Sequence, residues 1–131
     1  MTSESETPLQ ASSVTPGLTV DDLRTSIRFF EGLGFAVDET WEDDRKLVGV
    51  MMRAGNARIG LTQDDWTRGN RRHKGDGIRI FIGTTQPIDE VAERATAAGI
   101  ELDSQPQDTP WGRAFDVTEP NGFRLTIWRQ P

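Results

Sequence analysis

The sequence contains no cysteine and a single histidine, His73. The first absence excludes a disulfide framework, thiolate metal sites and cysteine catalysis. Long apolar runs are also missing: stretches such as "LVGVMM" fall far short of the roughly 20 residues that a membrane-spanning helix needs. Positive charge is scarce, since 15 Lys and Arg stand against 21 Asp and Glu for a formal net charge of -6. Nucleic-acid binders present a basic surface, so that partner class is set aside. The one basic cluster, "RGNRRHKGDGIR", reads as a solvated loop. At long range an acidic protein draws cationic ligands.

What is present suits one water-soluble globular domain, with 131 residues, 34% hydrophobic and 27% charged. The opening "MTSESETPLQASS" is polar and acidic, without a basic or an apolar region of the signal-peptide kind. It reads as a disordered tail over residues 1–13, ahead of a single domain over 14–131. No export or anchoring signal is recognisable, so a cytoplasmic location is expected.

Beyond the tail, "TPGLTV" reads as a strand entering a helix at "DDLRTSIRFFEGLG", where Leu23, Ile27 and Phe30 make an apolar stripe. Asp21 or Asp22 can cap its start and Gly32 or Gly34 its end. Three strands follow, "FAVDETWE", "KLVGVMMR" and "ARIGLTQ". The second half repeats the order. "GIRIFIG" is a strand, and "PIDEVAERATAAG" is a helix with Pro87 suited to its first position and Gly99 to its end. "IELDSQP", "GRAFDVT" and "FRLTIWR" are three more strands. At an offset of 65 residues Leu23 matches Ile88, Phe30 matches Ala95, and Gly34-Phe35 matches Gly99-Ile100. The plan is an α+β domain of tandem β-α-β-β-β modules, the first over about 14–66 and the second over about 75–131, whose strands curl as a mixed sheet around a cleft.

Two motifs carry a resemblance: "LTVDDLRTSIRFFEGLGF" and "PWGRAFDVTEPNGFRLTIW". In this order and spacing the chain resembles the vicinal oxygen chelate superfamily of glyoxalases, bleomycin resistance proteins and extradiol dioxygenases, with Glu119 where the family usually has Asp. The resemblance implies four cleft positions for metal ligands, and they fall on Thr15, Gly60, Thr126, and either Arg79 or Ile80. A one-residue slip of register separates the last two. None of these residues suits a divalent ion. His73 reads as a surface residue, and the pairs Asp43-Asp44 and Asp64-Asp65 as solvated turn acids. No metal and no other cofactor is therefore expected.

Strand alternation suggests what lines the cleft instead. With Leu125 and Ile127 inward, Arg124, Thr126 and Trp128 face the cleft; with Ile59 and Leu61 inward, so do Arg58, Gly60 and Thr62. Thr15, Gly17 and Thr19 complete this set. Trp66, Trp111 and Trp41 fit an aromatic rim for a planar ligand, or else strand edges and subunit contacts. Arg58, Arg79 and Arg124 could clamp a carboxylate or phosphate if two converge; salt bridges to the abundant acids are the competing reading.

The expected ligand-binding residues are thus Thr15, Arg58, Gly60, Trp66, Arg79, Trp111, Arg124 and Thr126, with no catalytic residue. The reading is a metal-free protein that sequesters a small organic molecule, as the bleomycin resistance branch does, and the resemblance implies a homodimer. No nucleic acid or membrane is expected as a partner. The alternative is an enzyme of the same superfamily (lyase, isomerase, transferase or dioxygenase) with relocated or absent ligands. Glu101, Asp103 and Asp116 would be its only interior-strand carboxylates, and nothing in the sequence pairs them with a partner.

Overall fold

A computed structural model describes residues 8–69 and 72–131 of the chain. Residues 8–14 run exposed ahead of β1 (Gly17–Val20). Asp22 then caps α1 (Leu23–Leu33), its carboxylate accepting the Arg24 backbone N–H at 3.2 Å. The helix stops at Gly34, whose φ of 110° is open to glycine at little cost. β2 (Ala36–Asp43), β3 (Lys46–Ala54) and β4 (Ala57–Gln63) complete the first module. The second comprises β5 (Arg79–Thr84), α2 (Ile88–Ala97), β6 (Leu102–Thr109), β7 (Gly112–Thr118) and β8 (Arg124–Arg129). Pro87 stands at the N-cap of α2, one residue ahead of the first helical position expected for it.

The curled sheet is in fact two sheets of four, ordered β1-β4-β3-β2 and β5-β8-β7-β6. Within each, the first and last strands pair in parallel and the others antiparallel. β6 runs through Pro106 to Thr109, past the end its proline suggested. It is an edge strand, where a missing N–H removes no ladder bond, and the register shifts between Ser104 and Gln107 accommodate the ring.

Each helix packs on its own sheet, and the two helices pack on each other. One continuous core results. Leu18, Val20, Ile59 and Leu61 enter it from the first sheet, Phe115, Val117, Leu125 and Ile127 from the second. Phe30 is fully buried at its centre, edge-on to Phe29 and Phe35 at 5.3 and 5.5 Å. Burying both helical stripes in one place leaves each sheet a second face turned away from the helices.

Polar contacts also tie the modules together. The Ser26 hydroxyl on α1 donates to Glu119 at 2.6 Å, and Asn121 accepts the Asp21 N–H at 2.8 Å. The segment joining β4 to β5 passes so close to the turn at Gly122 that only a glycine fits at position 75.

Candidate functional site

The helix-free face of the second sheet follows from alternation in β5 and β8. Ile80 and Ile82 point to the core, so Arg79 and Phe81 emerge opposite. Parallel pairing sets Arg79 beside Arg124 and Phe81 beside Thr126, while antiparallel pairing sets Asp116 beside Thr126 and Ala114 beside Trp128. Of the two residues that a register slip would exchange, Arg79 is the one on the open face.

A cavity of about 310 Å³ lies on this face, formed wholly by residues of the second module. Its floor is a polar chain. Thr126 donates to Asp116 Oδ1 at 2.6 Å and accepts from Arg79 Nη1 at 2.8 Å, and Arg79 Nη1 also reaches Asp116 at 3.4 Å. Ser104 accepts the Asp116 backbone N–H at 3.1 Å and donates to Oδ2 at 3.3 Å. The Asp116 carboxylate is therefore engaged on both oxygens, a correction to the expectation that the interior carboxylates lack partners. Asp103 is engaged as well, by Thr118 at 2.5 Å.

The wall is aromatic. Trp111, in the β6–β7 hairpin, stands edge-on between Phe81 at 6.2 Å and Trp128 at 5.7 Å between ring centroids. Phe81 is 59% exposed and Trp111 47%, and their contact makes them a patch instead of scattered single residues. Phe81 was not singled out from the sequence. Its signal was present in "GIRIFIG", where inward Ile80 and Ile82 force it outward.

The structure thus brings together Arg79, Trp111 and Thr126, with Arg124 on the same face beside Arg79. The other expected residues lie elsewhere. Arg58 is on the open face of the first sheet, where it bridges Asp38 at 3.3 Å and Glu39 at 3.4 Å. Gly60 lies on the same strand, its N–H bonded to the Pro16 carbonyl at 2.9 Å. Trp41 lies over Gly49 on that sheet. Thr15 is exposed ahead of β1. Arg58 and Arg79 are salt-bridged, as the competing reading of the arginines expected, whereas Arg124 has no ion pair among the described residues.

Trp66 belongs to neither face. It sits in the segment between modules, at a φ of 65°, with the Lys74 ammonium 4.8 Å from its ring. Lys74 bonds Asp21 and lies 3.0 Å from Asp64, whose side chain is only 3% exposed. Asp64 also takes Arg72 at 2.5 Å and the Trp66 backbone N–H at 2.9 Å. That backbone N–H above all, then Lys74 and Arg72, holds the Asp64 carboxyl down at about 2. A depressed folded-state value means stability present above the unfolded carboxylate range, near 4, and lost as pH falls toward about 2. In acid unfolding followed by circular dichroism, Asp64→Asn is expected to flatten the midpoint's pH dependence in that window. An unchanged profile would refute this role.

Two larger grooves, of about 730 and 940 Å³, flank the helix pair. The internal repeat relates them: one contains Gly99 and Ile100, the other their counterparts Gly34 and Phe35. Each is lined by residues of both modules, the first by the flank of α1 with the start of β6, the second by the end of α1 with β5 and α2.

The donor set does not fit a metal ion. The positions that the resemblance implies for metal ligands, Thr15, Gly60, Thr126 and Arg79 or Ile80, carry no imidazole or carboxylate, and Arg79, the one of the last two on the open face, is itself cationic. Among the described residues no three of His, Cys, Asp and Glu converge. The face offers hydrogen-bond donors and aromatic surface instead.

Tandem β-α-β-β-β modules, each a four-stranded sheet with one helix on it, define the class of fold. The chain belongs to the Glyoxalase/Bleomycin resistance protein/Dioxygenase superfamily, whose family model matches residues 12–127. Among solved structures it is similar to TioX from Micromonospora sp. ML1, with 18% identity over 92% of this chain and 100% of that one and a TM-score of 0.74. It is also similar to TnmS3, an antibiotic binding protein from Streptomyces sp. CB03234, with 21% identity, 95% and 100% coverage and a TM-score of 0.71. A bleomycin resistance determinant encoded on the transposon Tn5 aligns with 17% identity, 92% and 98% coverage and a TM-score of 0.70. Identities this low establish the shared fold. A comparison with curated protein sequences finds no significant match. No helix among the described residues is long and apolar enough to cross a membrane.

Proposed function

We propose that this chain binds a small planar organic molecule in the cavity on its second sheet, without a metal, and acts by sequestration. The observation that carries this reading is the Phe81 and Trp111 wall, backed by Trp128, beside a hydrogen-bonded polar floor. The rings pack edge to face on one another, so a flat ligand would stack on their exposed surface and not between them, and a few fixed polar groups would orient it. Turnover would need a free acid or base within reach of the ligand, and Asp116 has both carboxylate oxygens engaged. Kinship in fold with an antibiotic binding protein and a bleomycin resistance determinant supports the same reading.

A homodimer belongs to this proposal. The cavity is open on one side, and its exposed aromatic wall would be covered if the first-sheet face of a second copy lay over it. That face carries Trp41, itself 45% exposed.

Calorimetric titration with 2-naphthylmethanol, a neutral planar probe, tests the cavity. Trp111→Ala is expected to weaken binding about tenfold, the size of one good aromatic contact. An equal affinity would place the probe elsewhere and sink the assignment. Titration with zinc, nickel, manganese and iron(II) is expected to find no tight site, and one tight ion per chain would overturn the metal-free reading.

A further inference from the structure

We infer that the ligand of this cavity is a planar aromatic molecule carrying an anionic oxygen group, a carboxylate or an ionised phenol, held by Arg79. The inference rests on the cavity being the binding site and adds the ligand's charge.

Arg79 carries five N–H donors in a rigid fork. Its two bonds, to Thr126 and to Asp116, both leave from Nη1. Among the described residues Nε and Nη2 have no partner, so the edge of the fork that suits a carboxylate is open. The side chain is 37% exposed and borders the cavity. The opposite is true of the acceptors. Asp116, the only carboxylate in the cavity lining among the described residues, is capped by Thr126, Arg79 and Ser104. A cationic ligand would have to compete with those three donors for the carboxylate, and the other side-chain acceptors of the lining, Gln107 among them, are neutral.

The charge count points the same way. Arg79 and Asp116 cancel, and Arg124, the register partner of Arg79 on β8, adds an unpaired positive charge. Asp103 approaches only as far as Thr118, the cross-strand neighbour of Arg124. The chain as a whole carries -6, so its long-range field favours cations. Selection of an anion would therefore have to come from the local donors.

Three matched probes distinguish the possibilities: 2-naphthoate, 2-naphthylmethylammonium and the neutral 2-naphthylmethanol, titrated calorimetrically into the full-length protein at moderate ionic strength. Naphthoate is expected to bind at least about tenfold tighter than either of the others, as a charge-assisted hydrogen bond allows. Arg79→Gln should bring naphthoate down to the level of the alcohol, and Arg124→Gln should reduce its affinity by a smaller factor. Thermal melts establish that each variant is folded. If the ammonium probe binds as tightly as naphthoate, or if Arg79→Gln leaves the preference intact, the anionic assignment fails while the cavity stands. If none of the three binds, the binding reading itself fails and takes this inference with it.

Discussion

Replacing Gly75 with alanine is expected to be among the most damaging single changes in this chain. A Cβ at that position would overlap the carbonyl carbon and oxygen of Gly122 and crowd the Phe123 nitrogen, all inside the 3.0 Å that real Cβ atoms keep. The obstructing atoms are backbone, so no rotamer change relieves the overlap. Either the segment between modules lifts away or the turn before β8 moves. The turn is not free to move: Gly122 holds a φ of 90° and donates to the Glu119 carbonyl at 2.8 Å. Lifting the segment would strain the Lys74 contacts with Asp21 and Asp64.

Overpacking against backbone costs about 3 kcal/mol or more, a drop of roughly 10 °C or more in melting temperature for a domain of this size. Gly77→Ala is the internal control. It lies in the same segment with nothing within 4 Å of its Cβ direction, and only its φ of 75° opposes a side chain. That change should cost about 1 kcal/mol. Calorimetric melts of the two variants decide the matter, and equal losses would mean that the close approach does not restrict position 75.

The contrast between these two glycines shows where sequence reading stops. Both sit in the "HKGDGIR" stretch, and nothing local separates them. What separates them is a neighbour almost fifty positions along the chain. The fold itself was legible because its signals are local: the 3.6-residue stripe through Leu23 and Phe30, Gly34 at the helix end, the alternation in "FRLTIWR", and the repeat that doubles each signal. The open face of β8 was legible on the same terms. The register of β5 was not, since a shift of one residue exchanges Arg79 for Ile80, and only pairing with β8 resolves it. Arg58 and Gly60 lie on the first sheet, Thr15 just ahead of it and Thr126 on the second, a division that alternation alone does not state. Alternation states which face of a sheet a residue takes, not which two sheets come together. Burial of both helices against each other sends the two open faces apart, a consequence of packing that no window of sequence contains.

Glu119 is the second position where a large effect is expected, and the reason lies between the modules. It is 1% exposed and accepts three hydrogen bonds: from Ser26 Oγ at 2.6 Å, from the Asn121 backbone N–H at 2.6 Å and from Asn121 Nδ2 at 2.8 Å. Ser26 belongs to α1, itself fully buried, while Asn121 belongs to the turn before β8. Asn121 Oδ1 in turn holds the Asp21 N–H. One carboxyl thus joins the start of the first helix to the last turn of the chain.

Glu119→Ala removes the acceptor and leaves the Ser26 hydroxyl and the Asn121 backbone N–H facing a small void, while Asn121 Nδ2 keeps Ser26 Oγ at 3.2 Å; each orphan costs about 1–3 kcal/mol. A total of about 3–5 kcal/mol is expected, against about 1 kcal/mol for Ser26→Ala, which removes a donor and leaves the other two bonds in place. The double variant should lose less than the sum of the singles by at least about 1 kcal/mol, because the Ser26 bond cannot be lost twice. Denaturant unfolding of the four proteins measures this coupling. Strict additivity would mean that the contact between helix and turn contributes nothing, and that the modules are held by the apolar helix pair alone.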